Sequence, residues 1–236
     1  ICRHSLISID KDHGFLLNVY EKSEKRGINF SLSHGLAGML FNFLLIEDKH
    51  PGEFMASELS RPILNFICKQ IDEFDDKVPG ACLPHVIYED TYSKDTRLAW
   101  CYGDLGVASS LLYAGKVLSD ARYWTYGEKV AVKALAREQI CSTTKEITGF
   151  CHGYPGVAFM FYRIGHYTGD KRYIDRADYW FTYWKSQYQS LGPSQLFEEV
   201  PEELHKSILA GEAGLQVAEL SRHKLNSALP EYLFVV

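Results

Sequence analysis

Cys101-Tyr102-Gly103-Asp104-Leu105-Gly106 runs directly into Val107-Ala108-Ser109-Ser110-Leu111-Leu112-Tyr113-Ala114. Two glycines three positions apart permit positive φ and close backbone approach. The small and apolar residues that follow show no polar face, which predicts a helix covered on all sides. The same step recurs at Gly35/Gly38, Gly153/Gly156 and Gly211/Gly214, each time ahead of a run rich in small and apolar residues. Between these runs the pattern changes. Met55, Leu59, Ile63, Ile67, Ile71 and Phe74 recur at helical spacing with charged residues between them, the mark of a helix with one wet face. The alternation returns after Asp120 (Val130, Val132, Leu135) and after Gly169 (Tyr173, Ala177, Trp180, Trp184).

Buried helix followed by amphipathic helix, repeated, predicts an all-α protein with two concentric layers of helices. The first glycines stand at 35, 103, 153 and 211, too irregular for a strict solenoid and of the size expected for helical hairpins with variable loops. Only short segments such as His85 to Tyr88 read as strands. The aromatic cluster Tyr179, Trp180, Phe181, Tyr183 and Trp184 has the spacing of core and rim packing, and Glu198 to Glu203 reads as a solvated loop.

The chain of 236 residues is 46% apolar and 23% charged, ordinary values for a globular protein with a sizeable core. Its 25 Lys and Arg against 30 Asp and Glu give a formal charge of -5, which offers no broad footprint for nucleic acid or an anionic membrane. The longest apolar stretch, Leu36 to Ile46, is far shorter than the roughly 20 residues of a transmembrane span. No secretory signal is legible after Ile1. The six cysteines show no CxxC pair and are too sparse for a disulfide framework, so the expected compartment is the reducing cytoplasm.

Aligning the four glycine steps places reactive side chains in register. Immediately before the first glycine stand His34, Tyr102, His152 and Ala210, and one position earlier Ser33, Cys101, Cys151 and Leu209. If each step opens an inner helix, these side chains meet at one end of the helical ring. Cys101, Cys151 and His152 then form a ligand set suited to zinc: two thiolates balance the dication, one imidazole adds a third bond, and a fourth position stays open, as catalytic rather than structural zinc requires.

The segments Ser33-His34-Gly35-Leu36-Ala37-Gly38, Trp100-Cys101-Tyr102-Gly103-Asp104-Leu105-Gly106 and Cys151-His152-Gly153-Tyr154-Pro155-Gly156, with Ala210-Gly211-Glu212-Ala213-Gly214 as a fourth, resemble the ordered motifs of the lanthionine synthetase C-like family, the lanthipeptide cyclases. The Cys-His pair resembles the stand-alone class I cyclases more than the fused synthetases. The resemblance implies an α/α toroid, a double-layered helical barrel, with Zn2+ held by Cys101, Cys151 and His152. It implies addition of a peptide cysteine thiol to dehydroalanine or dehydrobutyrine, forming (methyl)lanthionine thioether rings. His34 matches the family's acid/base, Arg97 an active-site arginine able to hold a developing oxyanion, and Tyr102 a further active-site position. The implied partners are a dehydrated precursor peptide and, in a biosynthetic complex, a dehydratase and an exporter.

Two departures stand out. Leu105 occupies a position where many members carry Pro. The family ring also needs seven hairpins, whereas the spacing here supplies roughly four, and an aspartate of the family's zinc pocket has no visible counterpart. The expectation is therefore a single cyclase-like domain over 1–236, the C-terminal part of a longer, here incomplete, toroid. Two competing readings are a non-catalytic zinc toroid that binds peptides or thiols, and an α/α-barrel glycoside hydrolase using Asp104, Glu146 and Glu212. A glutathione-adding relative is a third, since the same activated-thiol chemistry serves either nucleophile.

Overall fold

The computed structural model describes residues 7–10, 15–22, 25–88, 91–94, 96–138, 148–198 and 200–223. Three glycine-initiated helical hairpins and the first helix of a fourth build it: α1 (Leu36–Lys49) with α2 (Ala56–Phe74), α3 (Asp104–Val117) with α4 (Ala121–Leu135), α5 (Tyr154–Thr168) with α6 (Lys171–Leu196), then α7 (Glu212–His223). The inner helices pack side by side in the order α1, α3, α5, α7, and each of the first three is backed by the helix that follows it. The result is an arc of a double-layered α/α toroid.

Burial separates the two layers as the sequence pattern predicts. In α3 every residue from Asp104 to Ala114 is buried, and in α5 every residue from Pro155 to Gly165. α4 buries only Tyr123, Gly127, Val130, Ala131 and Ala134, a single stripe. An inner helix touches neighbours on both flanks and an outer helix behind, so it has no wet face to mark with charge. α2 begins one residue after the expected Met55, and Ile63, Ile67, Ile71 and Phe74 are buried while Leu59 remains 44% exposed. In the aromatic cluster Trp180, Phe181 and Trp184 are buried while Tyr179 and Tyr183 stay exposed.

Two of the outer helices, α4 and α6, are started by side-chain caps, whereas α2 follows Met55 without one. Asp120 accepts from the Arg122 N–H at 3.0 Å and Asp170 from the Arg172 N–H at 2.9 Å. Both aspartates follow a residue of positive φ, Ser119 and Gly169, so Ser119-Asp120-Ala121-Arg122-Tyr123 and Gly169-Asp170-Lys171-Arg172-Tyr173 repeat one hairpin turn. Tyr123 and Tyr173 are both buried. α6 is broken at Gly192 (φ 74°), directly before Pro193.

A four-stranded antiparallel sheet, ordered β1 (Ile7–Asp10), β2 (Phe15–Lys22), β3 (Lys25–Asn29), β4 (Val86–Tyr88), supplements the helices. Only its last strand was foreshadowed by the sequence. Phe15-Leu16-Leu17 does not alternate, so the period of two that identifies a half-buried strand is missing from the first strands. The β3–β4 pairing sets Ile28 against Ile87 and carries His85 to the edge of the thiol-lined mouth.

Candidate active site

The four glycine steps interlock through their backbones. The Ser33 N–H donates to the Cys101 carbonyl (3.3 Å), the Cys101 N–H to the Cys151 carbonyl (3.3 Å), and the Cys151 N–H to the Leu209 carbonyl (2.9 Å). These are the equivalent positions of successive steps, so one repeated bond carries each motif onto the next. The glycines make room for this arrangement. A Cβ on Gly35, Gly103 or Gly211 would lie 2.3, 1.8 or 2.2 Å from a carbonyl oxygen six residues earlier, that of Asn29, Arg97 or His205. Gly106, Gly156 and Gly214 admit Leu32, Trp100 and Phe150, the residues preceding the equivalent position of the neighbouring step.

The interlock brings Cys101, Cys151 and His152 together, with their ligand atoms all within 4.8 Å of one another and Cys151 Sγ 3.8 Å from His152 Nε2. Tetrahedral zinc, with bonds of about 2.3 Å to sulfur and about 2.0 Å to nitrogen, sets such donors roughly 3.5–3.8 Å apart, so this donor set fits the ion in chemistry and spacing. Cys101 is buried, and Cys151 and His152 are partly exposed. A hydrogen bond from Cys101, followed by His152 and the charge of His34, holds the Cys151 thiol below its ordinary range, against the opposing effect of burial. The same hydrogen bond, and then burial, push Cys101 up.

The other expected residues surround this cluster. His34 is exposed on the loop before α1, its N–H bonded to Ser31 Oγ at 3.1 Å, and its ring lies 6.2 Å from that of Tyr102. Arg97 acts electrostatically on Cys101. Tyr102 is partly buried and stacks on His85, with ring centroids 5.4 Å apart and planes 16° from parallel.

His85 escaped the sequence reading because it occupies no repeat position. Its Nε2 accepts the Arg97 backbone N–H, which leaves the ring proton on Nδ1. Its carbonyl accepts from Phe30 N–H at 3.1 Å. One residue thus holds the Arg97 segment and Tyr102 through its ring and meets Phe30, just past β3, through its backbone carbonyl. The carboxylates of the glycosidase reading are placed differently. Asp104 is 1% exposed and accepts the Cys82 N–H at 2.8 Å, and burial raises its carboxyl to about 6. Glu212 opens α7 at a partly exposed position, and Glu146 lies outside the described residues.

A cavity of about 580 Å³ adjoins Cys151 on the α7 side, walled by Cys151 and His152 together with the end of α6 and the segment leading to α7. No helix among the described residues is long and apolar enough to cross a membrane.

The arc has a counterpart among solved structures. A nisin cyclase superposes with a TM-score of 0.61 at 22% identity, covering 87% of this chain and 48% of that one. By sequence, the chain is 26% identical over 176 residues to "Glutathione S-transferase LANCL1" of Danio rerio, covering 70% of this chain and 39% of that protein. It is 27% identical over 173 residues to "Nisin biosynthesis protein NisC" of Lactococcus lactis subsp. lactis, covering 64% of this chain and 40% of that protein. The chain thus spans about two fifths of the length of these curated relatives. The repeated glycine steps, the inner and outer helical layers and the Cys-Cys-His cluster coincide with a match to the lanthionine synthetase C-like family model over residues 1–234, and the chain belongs to that family.

Proposed function

We propose that this chain carries the active centre of a zinc-dependent lanthipeptide cyclase, with Cys101, Cys151 and His152 as the metal ligands. The observation that carries the reading is the convergence of those three donor atoms within 4.8 Å at the mouth of the helical arc. Zinc bound there supplies a thiolate from a substrate cysteine at neutral pH, where a free thiol of pKa about 8.5 is only a few per cent ionised.

The chain's own residues manage the rest of the reaction. His34, exposed at the mouth, takes the thiol proton. The S–C bond forms at the β-carbon of dehydroalanine or dehydrobutyrine as the C=C electron pair moves onto the carbonyl oxygen. Arg97 faces that developing oxyanion, and Tyr102, fixed by its stack on His85, orients the peptide. Return of the proton to the α-carbon completes the thioether with no net oxidation or reduction. The substrate is a dehydrated precursor peptide in the cytoplasm, supplied by a dehydratase and passed to an exporter. A second reading is favoured by the glutathione-transferring relative: the same centre adds glutathione, or only binds thiols.

The test begins with zinc per protein by elemental analysis for the wild type, Cys101→Ala and Cys151→Ala. One equivalent, lost in both variants, is the expected result. A dehydrated peptide with a free cysteine is then incubated with the chain and its alkylatable thiols counted by mass spectrometry; thiols should disappear at constant peptide mass. A folded wild-type chain that binds no zinc overturns the proposal. Retained zinc with a mass gain of one glutathione and no ring favours the second reading.

A further inference from the structure

We infer that the cavity beside Cys151 and His152 is a side-chain pocket for the peptide substrate, selecting bulky apolar residues flanked by basic ones next to the reacting position. The inference rests on the peptide-cyclase reading of the same centre and narrows it, because such a pocket disfavours an anionic thiol such as glutathione.

Two features of the cavity carry this. The first is its lining and position. Its volume of about 580 Å³ falls in the range of ligand pockets and accommodates more than one side chain. Its walls include Leu191, Leu196, Val200, Pro201, Leu204 and Leu209, and the same cavity is bounded by Cys151 and His152. A group filling it therefore ends beside the candidate metal ligands. Leu191, Leu204 and Leu209 keep 38%, 42% and 41% exposure, whereas Leu111 and Leu112 in α3 are fully buried. Single exposed leucines are ordinary, but three around one cavity that opens on a thiol form an apolar subsite.

The second is charge. Glu198 belongs to the lining, and Glu202 and Glu203 are exposed in the turn that follows it. From Phe197 to Ala210 the sequence holds four glutamates against a single lysine. None of these three glutamates has an ion-pair partner among the described residues. Glutathione carries two carboxylates against one ammonium and has no bulky apolar side chain, so both features disfavour it. A peptide with leucine-like side chains and neighbouring Lys or Arg satisfies both.

Thiol-free probes separate the pocket from the metal chemistry. Acetylated and amidated Lys-Leu-Ser-Leu-Lys, Lys-Gly-Ser-Gly-Lys and Glu-Leu-Ser-Leu-Glu, with S-methylglutathione as an anionic control, are titrated against the whole chain by ligand-observed NMR. The Leu/Lys peptide should bind about fivefold tighter than the Gly/Lys peptide, as partial burial of one leucine warrants. It should bind about threefold tighter than the Leu/Glu peptide, the scale of an exposed charge pair. Leu204→Ser should remove the first preference and Glu198→Lys invert the second; both residues are exposed, and circular dichroism confirms that the variants fold. Equal binding of the three peptides, tighter binding of S-methylglutathione, or preferences unmoved in both folded variants overturns the pocket. Absence of zinc or of thioether product strikes the cyclase reading instead and leaves these binding ratios to be read on their own.

Discussion

Gly103 combines two constraints that can be separated by substitution. Its φ is +95°, and a Cβ built on it would lie 1.8 Å from the Arg97 carbonyl oxygen. Gly169 has the first constraint alone, with φ +70° and nothing within 4 Å of the added carbon. Gly156 has the second alone, its Cβ falling 1.8 Å from the Phe150 carbonyl without a left-handed backbone. A side chain at positive φ costs about 1–2 kcal/mol, and forcing packed backbone apart costs about 1–3 kcal/mol. Gly169→Ala should therefore lose about 1 kcal/mol, Gly156→Ala about 1–3 kcal/mol and Gly103→Ala about 2–5 kcal/mol. At about 2–4 °C per kcal/mol for a chain of this size, the Gly103 variant melts roughly 10 °C lower. The retreat of the Arg97 carbonyl also disturbs the segment leading to Cys101, so zinc affinity should fall by about tenfold, as for loss of a supporting contact around a metal site. Gly169→Ala, at the far end of α5, should leave zinc affinity unchanged. Urea denaturation and competition with a chromogenic chelator read the two effects. If Gly103→Ala and Gly169→Ala agree within about 0.5 kcal/mol and bind zinc alike, the close-approach argument for the glycine steps is refuted.

Asp104 titrates near 6 in the folded chain and near 3.8 when unfolded. Its stabilising contribution is complete below the lower value and is lost as pH rises through the upper one, by about 3 kcal/mol; Asp104→Asn should flatten the denaturation midpoint between pH 4 and 6, and an unaltered pH profile would contradict this. Arg163, 4% exposed within α5, donates to Ser109 Oγ at 3.2 Å and lies over the rings of Phe41 (5.0 Å) and Tyr167 (4.9 Å), joining three inner helices. Arg163→Ala should cost about 2–4 kcal/mol in urea unfolding, through lost packing and polar groups left without partners. His85→Phe keeps a ring against Tyr102 but leaves the Arg97 N–H without its acceptor, so it should cost about 1–3 kcal/mol in urea unfolding, and His85→Asn, which restores an acceptor, should recover part of that loss; equal stability of wild type and His85→Phe would remove the bond to Arg97 from the account.

The helical layers were legible because burial and periodicity are coupled. α3 and α5 are covered on every side and read as runs rich in small and apolar residues, while α2 and α4 show one stripe. The meeting of Cys101, Cys151 and His152 was legible only through the repeat, since residues some 50 apart in sequence acquire a common place once each glycine step opens an inner helix. Features outside the repeat were not legible. β1 and β2 depend on antiparallel partners rather than on a clean alternation, and His85 enters through a strand pairing that links segments far apart in the chain. Arg163 stands within the otherwise apolar middle of α5, where the Phe41 ring of α1, the Ser109 hydroxyl of α3 and the Tyr167 ring of α5 itself accommodate its charge.

The two kinds of helix start explain why chemistry collects at one end of the arc. The outer helices α4 and α6 satisfy their first amides with Asp120 and Asp170, whose negative charge also offsets the positive end of the helix dipole. The inner helices α1, α3 and α5 begin at Gly35, Gly103 and Gly153, with no side-chain cap on any of them. Their positive ends therefore remain uncompensated by a capping carboxylate at the mouth, and Cys101 and Cys151 stand two residues ahead of the glycines that open α3 and α5. A thiolate gains from that field where a capping aspartate would compete with it, by about 0.3–1 kcal/mol per helix end and more where solvent is excluded. Glycine at these starts thus serves two ends: it lets the backbone of one step lie against the next, and it places no capping carboxylate at the mouth; α1 and α5 have no acidic residue in their first turn, and the Asp104 carboxylate of α3 is buried and engaged by the Cys82 N–H. An aspartate at Gly153 tests the second when set beside an alanine at the same position, because both variants carry a Cβ and the φ of -98° there suits any residue. Gly153→Asp should raise the Cys151 thiol and weaken zinc binding further than Gly153→Ala does, measured by thiolate absorbance against pH and by chelator competition; identical behaviour of the two variants would exclude the helix field as a contributor.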